Sequence, residues 1–250
     1  LVEAGKLDLE APVTRYLPWF RTADSDASGK ITLQHLLHHL SGISTLDGRR
    51  GCTGDDGATV ESRARSYRHV HLTARPGSRF EYSNCNYVIL GAVVEAASGM
   101  RFDDYIRANI FEPLKMHSSY VSNAEAVKHG LMGHRYWFGH PVAYAANNDC
   151  PGELPAGGLI SSAEDLSHYT TALMNGGRFQ ERSILSPAGV ETLFNKYGNG
   201  TEPGYYAMGW EVNDPGGRGV KVISHNGAAP AFYSLVRFFP EQKLGITFLA

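Results

Sequence analysis

The sequence predicts an α+β fold, and three observations predict it. Helical periodicity dominates roughly the first 200 residues, β-rich runs fill about 204–250, and the last of those runs are joined as a hairpin. Helices first and an antiparallel meander afterwards argue against a parallel, doubly wound sheet. The domain reading is therefore a mainly helical part with loops over approximately 1–200 and C-terminal antiparallel strands over approximately 204–250.

Each element has its own signal. Thr32 is placed to cap a helix whose Leu33, Leu36, Leu37 and Leu40 share one face and which Ser41-Gly42 ends. A longer helix is expected after Asn84, with Val88, Leu90, Val93, Val94 and Ala97 before a stop at Ser98-Gly99. Phe102 to Ile110 reads as a further helix. Ser161 to Glu164 reads as a capping box opening Asp165 to Met174, and Ser186-Pro187 as the start of a helix to Phe194. Tyr205 to Val212 alternates like one strand. Val220 to Ser224, Tyr233 to Phe239 and Leu244 to Leu249 are β-rich, the last two joined by Pro240 to Lys243. Gly48 to Gly57 is the segment richest in breakers and reads as a mobile loop.

The ends read as cuts. Leu1 to Gly5 looks like the last turn of a helix stopped by a glycine, and the chain closes inside a strand. The expectation is a domain truncated at both ends, and inactive when expressed alone.

Composition excludes several classes. Formal charge is -2, from 23 basic and 25 acidic residues, and no basic run exceeds Arg49-Arg50, so no nucleic-acid partner is expected. The longest apolar run, Tyr87 to Val94, is broken by Gly91, so no segment is expected to span a bilayer. Three widely spaced cysteines, Cys52, Cys85 and Cys150, fit neither a disulfide framework nor a paired-cysteine metal site.

Two short constellations carry the chemistry: Tyr82-Ser83-Asn84 and His225-Asn226-Gly227. Either motif alone is weak, and a second Tyr-x-Asn stands at Tyr197-Gly198-Asn199. Tyr82 is preferred because a buried-looking helix follows at once, a rigid platform for a general base, whereas Tyr197 lies among Gly198, Gly200 and Pro203.

With their order along the chain, these elements resemble the second and third catalytic motifs of the penicillin-recognising serine hydrolases, closest to the class C β-lactamase-like branch of β-lactamases, D-alanyl peptidases, D-aminopeptidases and esterases. The resemblance covers nearly the whole chain. Leu1 to Leu9 is similar to the segment after that family's nucleophile helix, and Leu36-Leu37-His38-His39-Leu40-Ser41-Gly42 to its Leu-Leu-x-His-Thr-Ser-Gly landmark, with Leu40 in the threonine place. Phe80 to Asn84 with Tyr87, and Pro155-Ala156-Gly157-Gly158-Leu159 followed by Ser161 to Leu166, are family-like too. The resemblance implies a helical lobe packed on an antiparallel sheet with the active site between them.

It also implies roles. Tyr82 would take the nucleophile's proton and return it to the leaving group. Asn84 would orient substrate and lysine, and the Ala228 backbone N–H would donate to the oxyanion. His225, Asn226 and Gly227 would line the substrate pocket, Gly227 letting the backbone approach closely. No cofactor and no metal are implied, and the partner is a small molecule or short peptide. Export to the periplasm or cell surface is implied by the family alone.

Two departures shape the reading. No serine in the 250 residues has a lysine three positions on, so the Ser-x-x-Lys nucleophile is expected upstream of Leu1. The Lys-Thr-Gly of true β-lactamases is replaced by His-Asn-Gly, exchanging a permanent cation for an imidazole, a group that ordinarily titrates near 6.5. An esterase or D-peptidase is therefore favoured over a β-lactamase. The alternative is a catalytically inactive descendant binding peptide or cell-wall fragments.

Other residues have plainer readings. His35, His38 and His39 lie off the leucine face near a helix C-terminus, where the dipole favours imidazolium and no carboxylate completes a ligand set. Glu153, imaginable as a deacylating base, reads as a solvated loop carboxylate.

Overall fold

The computed structural model describes residues 1–47, 57–144, 150–197, 204–215, 217 and 219–250. Two compact units divide the chain. The first comprises Leu1–Ile106, Cys150–Ala156 and Lys196–Asn199. It is built on α1 (Ser25–Ser28), α2 (Leu33–Leu37), α3 (Val60–Ser66), α4 (Asn84–Ser98) and α5 (Phe102–Ile106), with short 3-10 turns at Val13–Arg15, Tyr67–His69 and Pro151–Ala156.

Helix α2 begins where expected. The Thr32 hydroxyl accepts from the His35 amide and His35 Nδ1 accepts from the Thr32 amide, both at 3.2 Å, so a histidine fills the usual Glu place of a capping box. The helix does not run to Leu40. It stops at Leu37 because His39 turns to a left-handed φ of 55° and sends its carbonyl to the Glu81 amide at 2.9 Å.

Helix α4 is the spine of this unit. Its core stripe is Cys85, Val88, Ile89, Ala92 and Val93, spaced i, i+3, i+4, i+7, i+8, and it meets Val13, Ile31, Leu36 and Val60. Each of Val88, Ile89 and Val93 contributes about 1.5–3 kcal/mol by leaving water. The expected face included Leu90, Val94 and Ala97, which are only half-buried; starting the stripe at Cys85 rotates it. Burial pushes the Cys85 thiol up to about 11, so it packs as an apolar residue. Gly91 admits the Pro151–Ala156 turn, since a Cβ there would sit 2.3 Å from the Pro155 ring.

Two expectations need correction in this region. Cys150 is disulfide-bonded, so the cysteines do include a bridge, while Cys85 is free; Cys52 and most of the Gly48 to Gly57 segment lie outside the described residues. Glu153 is not a solvated loop carboxylate but the ion-pair partner of Arg63, which is itself buried. Glu153→Ala would remove the carboxylate paired with that guanidinium. Because Glu153 is only partly buried, the expected loss is about 2–3 kcal/mol, below that of a fully buried pair, read as a lower urea midpoint at unchanged m.

The second unit comprises Arg107–Asp149, Gly157–Asn195 and Gly200–Ala250. It holds α6 (Asn123–Lys128), α7 (Ala163–Met174) and α8 (Pro187–Leu193). Its strands are β1 (Gly133–Trp137), β2 (His140–Tyr144), β3 (Arg178–Phe179), β4 (Arg182–Ser183), β5 (Gly204–Tyr206), β6 (Glu211–Asn213), β7 (Val222–Ala229), β8 (Phe232–Phe239) and β9 (Leu244–Leu249). Strands β5 to β9 form one antiparallel sheet in sequence order; β1–β2 and β3–β4 are separate hairpins. Leu173 of α7, Val190 of α8 and Phe194 close over Trp210, Val212, Ile223 and Phe238 to make the core. Mixed helix and antiparallel sheet is thus the architecture, as the sequence predicts.

Local differences have local causes. The alternating run Tyr205 to Val212 is a hairpin rather than one strand, because Ala207 and Trp210 close a tight turn through a 2.7 Å hydrogen bond. The helix expected over Phe102 to Ile110 ends as α5 at Ile106 and widens into a π turn over Arg107–Phe111. The cap of α7 is Ser162, one residue later than expected. It accepts from the Asp165 amide at 3.1 Å, while the Asp165 carboxylate takes the Ser118 amide and the Ser119 hydroxyl. Ser186 caps α8 with Pro187 at its first turn, as expected.

Candidate active site

The candidate residues of the helical unit follow the end of α2. An extended segment, Phe80 to Ser83, alternates outward and inward, so Tyr82 is exposed while Ser83 is buried. His39 fixes this segment from below. Its Nδ1 lies 3.1 Å from the Ser83 amide and 3.0 Å from the Asn86 side-chain nitrogen. A backbone N–H can only donate, so Nδ1 accepts and the ring proton sits on Nε2. The Tyr82 ring packs on this imidazole, centroids 4.2 Å apart, and the Tyr82 carbonyl accepts from the Thr45 hydroxyl at 2.6 Å.

The neighbours complete a clamp. The Ser41 hydroxyl donates to Asn86 Oδ1 at 2.7 Å and accepts from the Ile43 amide, and the Ser83 hydroxyl donates to the Ser44 carbonyl at 3.0 Å. Glu81 receives the Thr45 amide, the Thr73 hydroxyl and the Arg79 guanidinium. The hydrogen bonds from Thr73 and Thr45, with Arg79 beside them, hold its carboxyl below the ordinary Glu value. Asn84 is the first residue of α4 and half-buried; the N-cap is Ser83, whose hydroxyl is spent on Ser44.

His38 and His39 are therefore buried rather than on a surface. His39 is a buried neutral acceptor, and desolvation lowers the pKa of His35, whose Nδ1 serves the α2 cap. The buried His38 stacks on Tyr197, centroids 5.0 Å apart. That contact gives the rival tyrosine a packing role, while Gly198 and Asn199 lie outside the described residues.

The candidate residues His225 to Ala228 lie in β7 of the second unit. Strand β6 covers β7 only from Val222 to Ser224, and strand β8 pairs along Ile223 to Ala229 on the other side. From His225 onward one edge of β7 carries no strand among the described residues. Ala228 lies opposite Tyr233, whose N–H and C=O both go to Ala250 on the β9 side, at 2.7 and 2.9 Å. Ala228 and Tyr233 therefore form a non-hydrogen-bonded pair, and the Ala228 N–H points to the open edge of β7. Asn226, Gly227 and Ala228 are exposed; His225 is half-buried with its Nε2 3.1 Å from the Tyr206 hydroxyl. Gly227 faces Ser234 across the ladder, where a Cβ would meet the hydroxyl at 2.6 Å.

The structure thus gathers Tyr82 and Asn84 in one unit and His225 to Ala228 in the other. Sequence reasoning passed over His39, Ser41, Glu81 and Asn86 as positioning residues. The signal for them was the Leu-Leu-His-His-Leu-Ser-Gly landmark itself, which packs on the tyrosine loop.

Comparison with known proteins identifies the family. The Beta-lactamase family matches residues 1–250. "Protein flp" of Staphylococcus aureus (strain MRSA252) is 27% identical over 256 residues, covering 100% of this chain and 49% of its own length. "Penicillin-binding protein 4" of Amycolatopsis lactamdurans is 29% identical over 254 residues, covering 96% of this chain and 64% of its own. An octameric penicillin-binding protein homologue from Pyrococcus abyssi superposes with TM-score 0.78 at 29% identity, over 100% of this chain and 57% of that one. The chain belongs to the Beta-lactamase family, a family of serine hydrolases. It spans about half the length of the Staphylococcus aureus relatives it matches.

Proposed function

We propose that the protein carrying this chain hydrolyses an ester, amide or β-lactam bond through an acyl-enzyme, as an esterase or D-peptidase rather than a true β-lactamase. A serine and lysine outside these 250 residues supply the nucleophile. The Tyr82 phenolate takes the serine proton as the oxygen attacks the carbonyl, then returns it to the leaving group. Asn84 orients the substrate carbonyl. The Ala228 N–H donates to the tetrahedral oxyanion, and His225, Asn226 and Gly227 line the substrate pocket.

The observation that carries this reading is the Ala228 amide aimed at an unpaired strand edge, where a fixed donor meets an incoming oxyanion without displacing a ladder bond. His-Asn-Gly in place of Lys-Thr-Gly supports the esterase or D-peptidase preference, since the motif itself offers no permanent cation to a β-lactam carboxylate. Export is proposed on family grounds, and the partner is a small-molecule or short-peptide substrate.

The test is covalent. A fluorophosphonate incubated with the full-length protein is expected to add one adduct mass to a serine, and short acyl esters to turn over faster than cephalosporins. No adduct and no turnover would leave a peptide-binding protein instead.

A further inference from the structure

The hairpin β1–β2 fits nothing in the site just described. Its root is anchored: a Cβ on Gly133 would lie 2.8 Å from the Phe232 ring and 2.9 Å from Ala231 Cβ, so the hairpin seats closely on the β7–β8 turn. Its tip projects. Tyr136, Trp137 and Phe138 are 78%, 69% and 89% exposed, and both faces of the hairpin are solvated beyond Gly133.

Three observations narrow what the tip meets. The turn is Phe138-Gly139, with φ of 48° and 80°, the geometry that Asn-Gly adopts without strain and that a bulky aromatic resists. Phe138 holds that conformation with an edge-on contact to Trp137, centroids 5.4 Å apart, as its ring contact. Around the tip, residues 126–144 contain no Asp or Glu while carrying Lys128, Arg135, His129, His134 and His140. Residues 130–144 also contain no Asn, Gln, Ser or Thr, so the hairpin's own sequence supplies no carboxylate, amide or small hydroxyl to bind sugar hydroxyls beside a stacking ring.

We propose that β1–β2 is a membrane-docking hairpin whose Tyr136, Trp137 and Phe138 enter the interface of an anionic lipid bilayer while Lys128 and Arg135 face the headgroups. Aromatic rings settle at the boundary between headgroups and acyl chains, and a two-sided tip suits a fluid interface better than a flat protein patch. The hairpin itself, residues 133–144, carries Arg135 and two histidines and no acidic residue, which complements a negative surface. Among the described residues no helix is long and apolar enough to cross a membrane, so this docking would be peripheral. The proposal stands independently of the hydrolase reading.

The experiment follows Trp137 itself, in the full-length protein, with brominated phosphatidylcholine vesicles containing or lacking phosphatidylglycerol. Quenching of tryptophan emission is expected with the anionic vesicles and is expected to vanish in Trp137→Phe. Trp137→Ser combined with Phe138→Ser should lower quantity bound by about tenfold while leaving the melting curve unchanged, because both side chains are exposed. Vesicle binding without quenching of Trp137, equal quenching on purely zwitterionic vesicles, or retention on peptidoglycan with no vesicle effect would each overturn the proposal.

Discussion

Replacing Tyr82 by phenylalanine in the full-length protein is expected to lower kcat/KM for an ester substrate by about 10²–10⁴-fold, the usual range for losing a positioned general base. Stability should hardly change. The ring's packing on His39 and the backbone bond from Thr45 do not involve the phenol oxygen. A Tyr82→Phe protein that melts normally and turns over at the parent rate would remove Tyr82 from the mechanism.

His39→Ala is expected to be the most damaging single change in the helical unit, at about 3–5 kcal/mol. It leaves the buried Ser83 amide and the Asn86 side chain without their acceptor, at about 1–3 kcal/mol for each stranded donor, and opens a cavity under Tyr82. His39→Asn, which tolerates the left-handed backbone and offers an oxygen acceptor, should recover part of that loss. Urea denaturation of the three proteins decides the matter; a loss under about 1 kcal/mol for His39→Ala would show that the clamp is held elsewhere.

Much of this was legible in the sequence because local chemistry writes itself locally. Thr32, Ser186 and Gly99 sit at helix ends for reasons internal to their own turns, and Pro240 to Lys243 closes a hairpin as read, with Lys243 in the left-handed region. Tyr82 and His225 to Ala228 were put forward the same way, as short strings.

What stayed hidden depends on partners distant in the chain. His39 reads as one of three surface histidines until Ser83 and Asn86, more than forty residues later, bring donors to its ring. Glu153 reads as solvated until Arg63, ninety residues earlier, is seen buried beside it. The rotated stripe of α4 was missed because Cys85 was read as a thiol rather than as a small apolar residue. The open edge of β7 has no sequence signature, since it follows from β6 ending after three residues.

That open edge carries a hazard as well as a use, because unpaired strand backbone is a template for another chain to join. The stretch from His225 to Ala229 is His-Asn-Gly-Ala-Ala, without a β-branched residue or a Phe, Tyr or Trp, and Pro230 follows immediately. Such a segment gives an intruding strand few side chains to grip and no continuation beyond five residues. The composition of this edge thus discourages fibre growth from it.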